Sequence, residues 1–558
     1  MKRASIRRLI TLIILIALVC MSPTFADKRA DKVDRLFSPW DRPDSPGCAL
    51  AVIQDGRIIH KRGYGMANLE HKIPITPRSL FYIGSVSKQF VAFSIALLAT
   101  RGKLSLDDDI RKYIPEMPDY GTPITIRHLI HHTSGLRDYL TLEDIAGIPF
   151  GTYHEKDVIE LIALQKELNF RPGEEYLYSN SGYLLLSVII QRASGKTLRE
   201  FAEENIFGPL GMKSSRFHDD YRELIENRAS GYYPAAKGKF WNFISTFDCV
   251  GSGGLYTCVE DLYLWDQNFY HHRVGGQEVI DLVHTRGILN SGRTIDYAFG
   301  LRLGEYKGLK TVSHSGALGG YRAALLRFPE QRFSVICLSN LSTFNSMAMA
   351  RKVADIYLAG RFKEEAESKE EKKKRYIRLP SDKLKEKVGA YIDRKTGFIR
   401  RVSLEKRRLF LQVSGRKYPL AALSETEFQM LESPTRTLIR FEKPEKEGPM
   451  RMIISVEGEK PITYEAFREV KLSPVQLKEY EGPYFSDELQ VTFHLALKKE
   501  RLHVVHRNAP VPPLRPTLRD WFSVRGWTLH FIRDENGKII AFTLNAGRVR
   551  NLRFERKS

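Results

Sequence analysis

At 558 residues, with 42% hydrophobic and 27% charged side chains, the chain is longer than one core usually holds and too apolar for wholesale disorder. Its net charge of +21 favours anionic partners such as nucleic acid, acidic lipid or an acidic wall polymer. With no zinc-finger spacing and no Gly-rich loop ending in Lys-Ser/Thr, no nucleic-acid partner is expected.

In chain order, "MKRASIRR" is a basic n-region, "LITLIILIALVC" an apolar h-region too short for a comfortable span, and "TFA" before Asp27 a small-residue cleavage site. Residues 1–26 therefore predict an export signal, a periplasmic or secreted protein, and no stable membrane span after cleavage. Val19 is larger than the residue preferred before a lipidated cysteine, which disfavours an anchor at Cys20. Cys48, Cys249, Cys258 and Cys337 are too few for a disulfide scaffold in so long a chain. Cys48 and Cys337 lie in apolar strand-like runs and read as buried thiols. A Cys249–Cys258 pair across a Gly-rich loop stays open.

"CALAVIQDGRIIHKRGYG" reads as a hairpin around Asp55-Gly56. From Val86 to Leu104 the pattern turns helical, and "FVAFSIALLA" is apolar nearly all round, the mark of a buried helix. Helices and loops alternate to about residue 290. Strands return with "KTVSHSG", "YRAALLRF" and "FSVICLSN", followed by a helix near "MAMARKVADIYLAG". Residues 27–360 thus predict an α/β domain whose two ends share one sheet. Residues 361–378 are a mixed-charge linker. Beyond it "LPSDKLKEKVGAY" is echoed by "LSPVQLKEYEGPY" at an offset of 93, so 379–470 and 471–558 read as a duplicated module. Both copies show the period-two alternation of β-structure, and Asn536-Gly537 turns a further hairpin.

Two Ser-x-x-Lys spacings occur, Ser85/Lys88 and Ser414/Lys417. The second lies between strands and is read as accidental. At Ser85, a helix start gathers free N–H groups and the positive end of the dipole, and Lys88 lies one turn on. A lysine desolvated there loses pKa and can take a proton from a hydroxyl. Tyr178-Ser179-Asn180 falls on a loop before a second apolar helix, and His314-Ser315-Gly316 on a strand.

In this order, on helix start, loop and strand, the three motifs resemble those of the serine β-lactamase and penicillin-recognising enzymes. The similarity is to the class C-like branch with DD-peptidases, D-aminopeptidases and esterases. "ITIRHLIHHTSGL", "PLGMKSSRF" and "GSGGLYTCVEDLYLW" agree, and the resemblance spans residues 30 to 360. It implies a β-lactamase/transpeptidase-like fold, an antiparallel sheet with flanking helices and a helical subdomain. The tail resembles, more loosely, the paired antiparallel barrels of some D-aminopeptidase relatives.

Carried over, the resemblance makes Ser85 the acyl-forming nucleophile, Lys88 its helper in deprotonation, and Tyr178 the general base and later acid. Asn180 binds a substrate amide, and His314, Ser315 and Gly316 are implied to bind substrate as well, with His314 next to the tyrosine and the substrate's carboxylate. The N–H groups of Ser85 and Ala317 form the oxyanion hole, typically worth ~3 kcal/mol of barrier per donor. No metal and no cofactor are implied. His314 stands where many β-lactamases have lysine, and it carries charge only near pH 6 or below unless shifted, which favours a peptidase, amidase or esterase over a true β-lactamase. His128, His131 and His132 invite a metal reading but lack a placed carboxylate, so they read as structural. Gly251, Gly253 and Gly254 resemble an active-site-edge loop.

The expected substrate is a small peptide, amide or ester, with specificity in the loops around 135–155 and 215–250. The alternatives are an inactive relative binding peptidoglycan or another anionic envelope polymer, and a tail that lends the site a loop.

Overall fold

The computed structural model describes residues 28–362, 376–413, 415–433, 437–444, 448–456, 461–505 and 511–557. The expected signal, most of the linker and Ser414 lie outside the described residues.

The central sheet has six antiparallel strands. β1 (Cys48–Gln54) and β2 (Arg57–Tyr64) form the expected hairpin, with positive φ at Asp55 and Gly56 supplying the tight turn. β3 (Arg302–Tyr306), β4 (Leu309–Leu318), β5 (Tyr321–Phe328) and β6 (Phe333–Ser339) come from the other end of the domain, and the spatial order is β3-β4-β5-β6-β1-β2. Pairing of β1 with β6 joins the two ends, as the sequence implies.

Both faces of β1 are buried. Cys48, Leu50 and Val52 pack with α1 (Lys28–Phe37), while Ala49, Ala51 and Ile53 face the larger core containing α2 (Lys88–Thr100). This is why the strand reads as a continuous apolar run. Helix α2 is buried from Lys88 to Leu98, which accounts for its lack of a polar face.

Two eight-stranded antiparallel structures follow. Gly389–Ile392 through Ile462–Phe467 close into a barrel. Gly482–Ser486 through Val549–Arg556 form an eight-stranded sheet with Arg501–Val505 and Arg515–Leu518 at its edges. Each opens with a short helix, Ser381–Lys385 and Pro474–Lys478, and the Tyr391 and Tyr484 hydroxyls both donate to the carbonyl four residues earlier. Lys417, the partner in the second Ser-x-x-Lys spacing, lies on a barrel strand paired with Glu405.

The second sheet shares its core with the first domain. Helix α3 (Tyr139–Ala146) inserts Leu142, Ile145 and Ala146 among Phe493, Leu529 and Phe542. Beside it the buried Arg137 donates to Glu488 at 2.5 Å and to the carbonyls of Arg550 and Asn551 at 3.1 and 3.2 Å. The segment 135–155 thus docks the second sheet while its Leu140 also lines the cleft beside Ser85.

Candidate active site

Ser85 sits in a 3-10 turn, Gly84–Ser87, and α2 begins at Lys88. Gly84 has φ +54°, and a Cβ there would lie 2.7 Å from the Ala317 nitrogen. A Cβ on Gly316 would lie 1.8 Å from the Ile83 carbonyl oxygen and 3.1 Å from the Ser85 nitrogen. Only glycine allows the turn and strand β4 to press together so closely, and this brings the Ser85 and Ala317 backbones onto one wall.

Lys88 is fully buried. Its Nζ lies 3.1 Å from Ser85 Oγ, 2.9 Å from Asn180 Oδ1 and 2.5 Å from the Ser252 carbonyl. Ser252 is held by the Gly251–Gly254 loop, where a Cβ on Gly253 would lie 2.3 Å from the Tyr82 hydroxyl. Burial drives the Lys88 pKa well below the ordinary lysine range, Arg548 pushes it further down, and Asp138 opposes them.

Asn180 opens α4 (Asn180–Ser194). Its Nδ2 and backbone N–H both donate to Asp138 Oδ2, at 2.9 and 2.7 Å. A carboxylate only accepts, so the amide is oriented with Oδ1 toward Lys88. Asp138, at the N-cap of α3, is a site residue the sequence reading missed.

Tyr178 packs its ring 5.0 Å from Lys88 Nζ and 4.1 Å from the His132 ring. Its hydroxyl is buried beside Ser85 without a hydrogen bond of good geometry among the described residues. Burial raises its pKa, and the Ser85 hydroxyl and Arg548 partly offset that rise.

His314 lies on β4 and is buried. Its Nδ1 donates to the Ser315 carbonyl at 2.7 Å, so Nε2 accepts from the Tyr297 hydroxyl at 3.0 Å. Burial, followed by the neighbouring Lys88, pushes its pKa down to about 3. The imidazole is thus shifted below the range near pH 6 in which an unperturbed histidine would carry charge. His314 is neutral at physiological pH, and the positive charge in this site comes from elsewhere.

The cation seated over Tyr178 is Arg548, which the sequence reading also missed. It stands on the turn Gly547-Arg548, between Ile539–Ala546 and Val549–Arg556. Gly547 has φ +52°, at the hairpin position that takes glycine. The guanidinium lies 4.7 Å over the Tyr178 ring and 3.5 Å from Asp138. Asn169 clamps this turn, donating to the Arg548 carbonyl at 3.0 Å and accepting from Arg550 N–H at 2.7 Å. "NAGRVR" signals a hairpin, but nothing local says where its tip points.

Ser85, Tyr178, Asn180, His314, Ser315, Gly316 and Ala317 all line one cleft of about 1520 Å³. Lys395 and Arg400 of the barrel and Arg548 of the second sheet complete the wall, so the tail does lend the site a loop. The motif histidines make local contacts. His128 caps a helix, His131 donates to the Tyr297 carbonyl, and His132 accepts from Ser179 N–H. Among the described residues, no three or more His, Cys, Asp or Glu are grouped to hold a metal ion. Cys249 and Cys258 are free buried thiols, and Cys48 lies against Cys337.

A family model described as Beta-lactamase matches residues 33–359. Penicillin-binding protein 4* of Bacillus subtilis (strain 168) is 31% identical over 440 residues, covering 73% of this chain and 94% of that protein. A D-aminopeptidase of Brucella anthropi is 25% identical over 531 residues, 92% of this chain and 95% of that one. Among solved structures, the octameric penicillin-binding protein homologue from Pyrococcus abyssi aligns with a TM-score of 0.55 at 25% identity, over 78% of this chain and 99% of its own. With its sheet order, its Ser85–Lys88–Tyr178 cluster and the family match over more than half its length, the chain belongs to the Beta-lactamase family.

Proposed function

We propose that the chain is an exported serine hydrolase of the peptidase type, forming an acyl-enzyme on Ser85 and cleaving an amide or ester in a small peptide-like substrate. The observation that carries this reading is the set of partners around Lys88. Asn180 Oδ1 and the Ser252 carbonyl can only accept, so they take the two N–H bonds of a neutral amine. Its lone pair then faces the Ser85 hydroxyl. Burial favours that neutral form, so Lys88 is the base for acylation, and Tyr178, held neutral by burial, is the acid.

The protons balance over the cycle. Ser85 Oγ passes its proton to Lys88 Nζ and bonds to the substrate carbonyl carbon, whose oxygen gains negative charge against the Ser85 and Ala317 N–H groups. As the C–N or C–O bond breaks, the leaving group takes the Tyr178 proton. The phenolate forms beside the Lys88 ammonium and beneath Arg548. Water then gives a proton to the phenolate and attacks the acyl carbon. Ser85 Oγ departs with the proton held on Lys88, and the acid product leaves.

The similarity to proteins named D-aminopeptidase and penicillin-binding protein supports the peptidase type. Export rests on residues 1–26, and N-terminal sequencing of the secreted or periplasmic protein should begin at Asp27. The direct test is intact-protein mass spectrometry after a fluorophosphonate probe, followed by assay of p-nitrophenyl esters, D-amino acid amides and nitrocefin. One adduct mapped to Ser85 and absent from Ser85→Ala is expected. A folded wild type that takes no adduct overturns the reading.

A further inference from the structure

Building on the hydrolase reading, we propose that Arg548 forms an anion subsite over Tyr178, selecting substrates that carry a carboxylate near the scissile bond rather than a free ammonium group. Three observations converge on it.

The first is position. Arg548 lines the same cleft as Ser85, and its side chain keeps 41% of its exposure while lying over the Tyr178 ring. Its pair with Asp138 is long, at 3.5 Å, and Asp138 Oδ2 already accepts two shorter hydrogen bonds from Asn180. A guanidinium has five N–H donors in a planar fork, so it can receive a carboxylate from the cleft side while keeping Asp138 behind it.

The second is rigidity. The turn is fixed at both carbonyls that flank its exit, by Asn169 on Arg548 and by Arg137 on Arg550. A charged fork held on a clamped turn is preorganised, and binding a ligand there sacrifices little freedom.

The third is the surrounding field. Arginine and lysine outnumber carboxylates on the cleft wall, eight to three. Of those carboxylates, Glu175 is paired with Lys395 at 3.0 Å and with Arg550 at 2.9 Å. His314 contributes no charge. A substrate ammonium would enter against this field and an anion with it.

The test uses the full-length chain and two matched substrate sets. In one, the N-benzoylglycyl thioesters of mercaptoacetate, mercaptoacetamide and thiocholine place an anion, no charge or a cation on the leaving group. In the other, N-succinyl- and N-acetyl-D-alanine p-nitroanilide place or omit the anion on the acyl side. In at least one set the wild type should favour the anionic member by about tenfold or more in kcat/KM. Arg548→Gln should collapse that ratio toward one, Arg548→Lys should keep most of it, and Arg548→Glu should turn the preference toward the thiocholine ester. Calorimetric binding of the same compounds to Ser85→Ala reads the subsite without turnover, and its affinities should rank in the same order. A wild type indifferent to charge in both sets and in calorimetry overturns the subsite, as does a preference that survives Arg548→Gln. Failure of Ser85 to take the fluorophosphonate, with charge-selective binding intact, would instead overturn the hydrolase reading.

Discussion

Asn180 Oδ1 accepts from Lys88 Nζ at 2.9 Å while the other end of the same amide donates to Asp138. The lysine is therefore held by a group whose orientation is set one layer further out. The same carboxylate oxygen also meets Arg548, so one acid ties the amide that holds Lys88 to the hairpin of the C-terminal sheet.

Replacing Lys88 by arginine keeps a cation but removes a base, because guanidinium does not deprotonate in proteins. Acylation of Ser85 by a neutral p-nitrophenyl ester should fall by about 10²–10⁴-fold, read by stopped-flow release of p-nitrophenol. Asp138→Asn should give a smaller loss through misorientation of Asn180. Wild-type acylation in Lys88→Arg would show that the proton goes elsewhere.

Gly316→Ala should separate strand β4 from the Ser85 turn, since the added methyl would sit 1.8 Å from the Ile83 carbonyl oxygen. The strand has to move, and the two oxyanion N–H groups move apart with it. A displacement of that size should lower kcat/KM by about 10²-fold or more. Circular dichroism and Tm should accompany the assay, because near-wild-type activity in a folded variant would show that this wall does not bear on the reaction.

With its pKa near 3, His314 does not change charge across the neutral range, and arginine does not deprotonate in proteins. The KM for a carboxylate substrate should therefore stay flat between about pH 5 and 8. A rise in KM centred near the ordinary histidine pKa would mean that His314 supplies the charge after all.

Stability should nonetheless fall with acid. His131 and His284 are pushed down to about 4 and His314 to about 3, each chiefly by burial. Below the unfolded histidine pKa the unfolded chain binds protons that the native state refuses, so stability is present above about pH 6.5 and declines as pH falls toward these values. Each such histidine contributes on the order of 1 kcal/mol per pH unit in that window. Glu143, raised to about 8 by burial and then by Asp138, works in the opposite direction, as do Glu155, Asp261 and Asp266, each raised chiefly by burial. Tm measured at pH 7 and pH 5 should show the drop, and an unchanged Tm would contradict buried neutral histidines.

Arg137→Ala should destabilise the molecule by about 3–5 kcal/mol, because Glu488 is left as an uncompensated buried carboxylate and two carbonyls lose their donor. Leu142→Ala, in the shared core, should cost about 2–5 kcal/mol. Both are read by thermal or urea unfolding. A neutral result in both would mean that the second sheet is not anchored through α3.

The three motifs were legible because each is written in neighbouring residues: a lysine three positions after a serine at a helix start, an asparagine two after a tyrosine, a glycine two after a histidine. That the two ends of the domain share one sheet was legible from the apolar runs at both ends. Asp138 and Arg548 were not, since their meaning lies in a contact between a helix N-cap and a hairpin turn far apart in the chain. The size of the His314 shift was hidden for a related reason. Its residue type is visible in the sequence, but the burial and the neighbouring lysine that keep it neutral appear only when β4 closes over α2. The 93-residue offset showed the duplication, while the sharing of the second copy's interior with Leu142 and Ile145 left no periodic trace.

The clamped turn at Arg548 also fixes when the cleft is finished. Synthesis runs from Ser85 through Asn180 and His314 before it reaches Gly547, so Ser85, Lys88 and the facing strand all exist on the growing chain while the wall above Tyr178 is still missing. A chain halted after strand Phe333–Ser339 would hold every motif residue and yet have an open trough over Ser85. The order of the polypeptide would thus make the charge selection proposed for Arg548 the last property the site acquires.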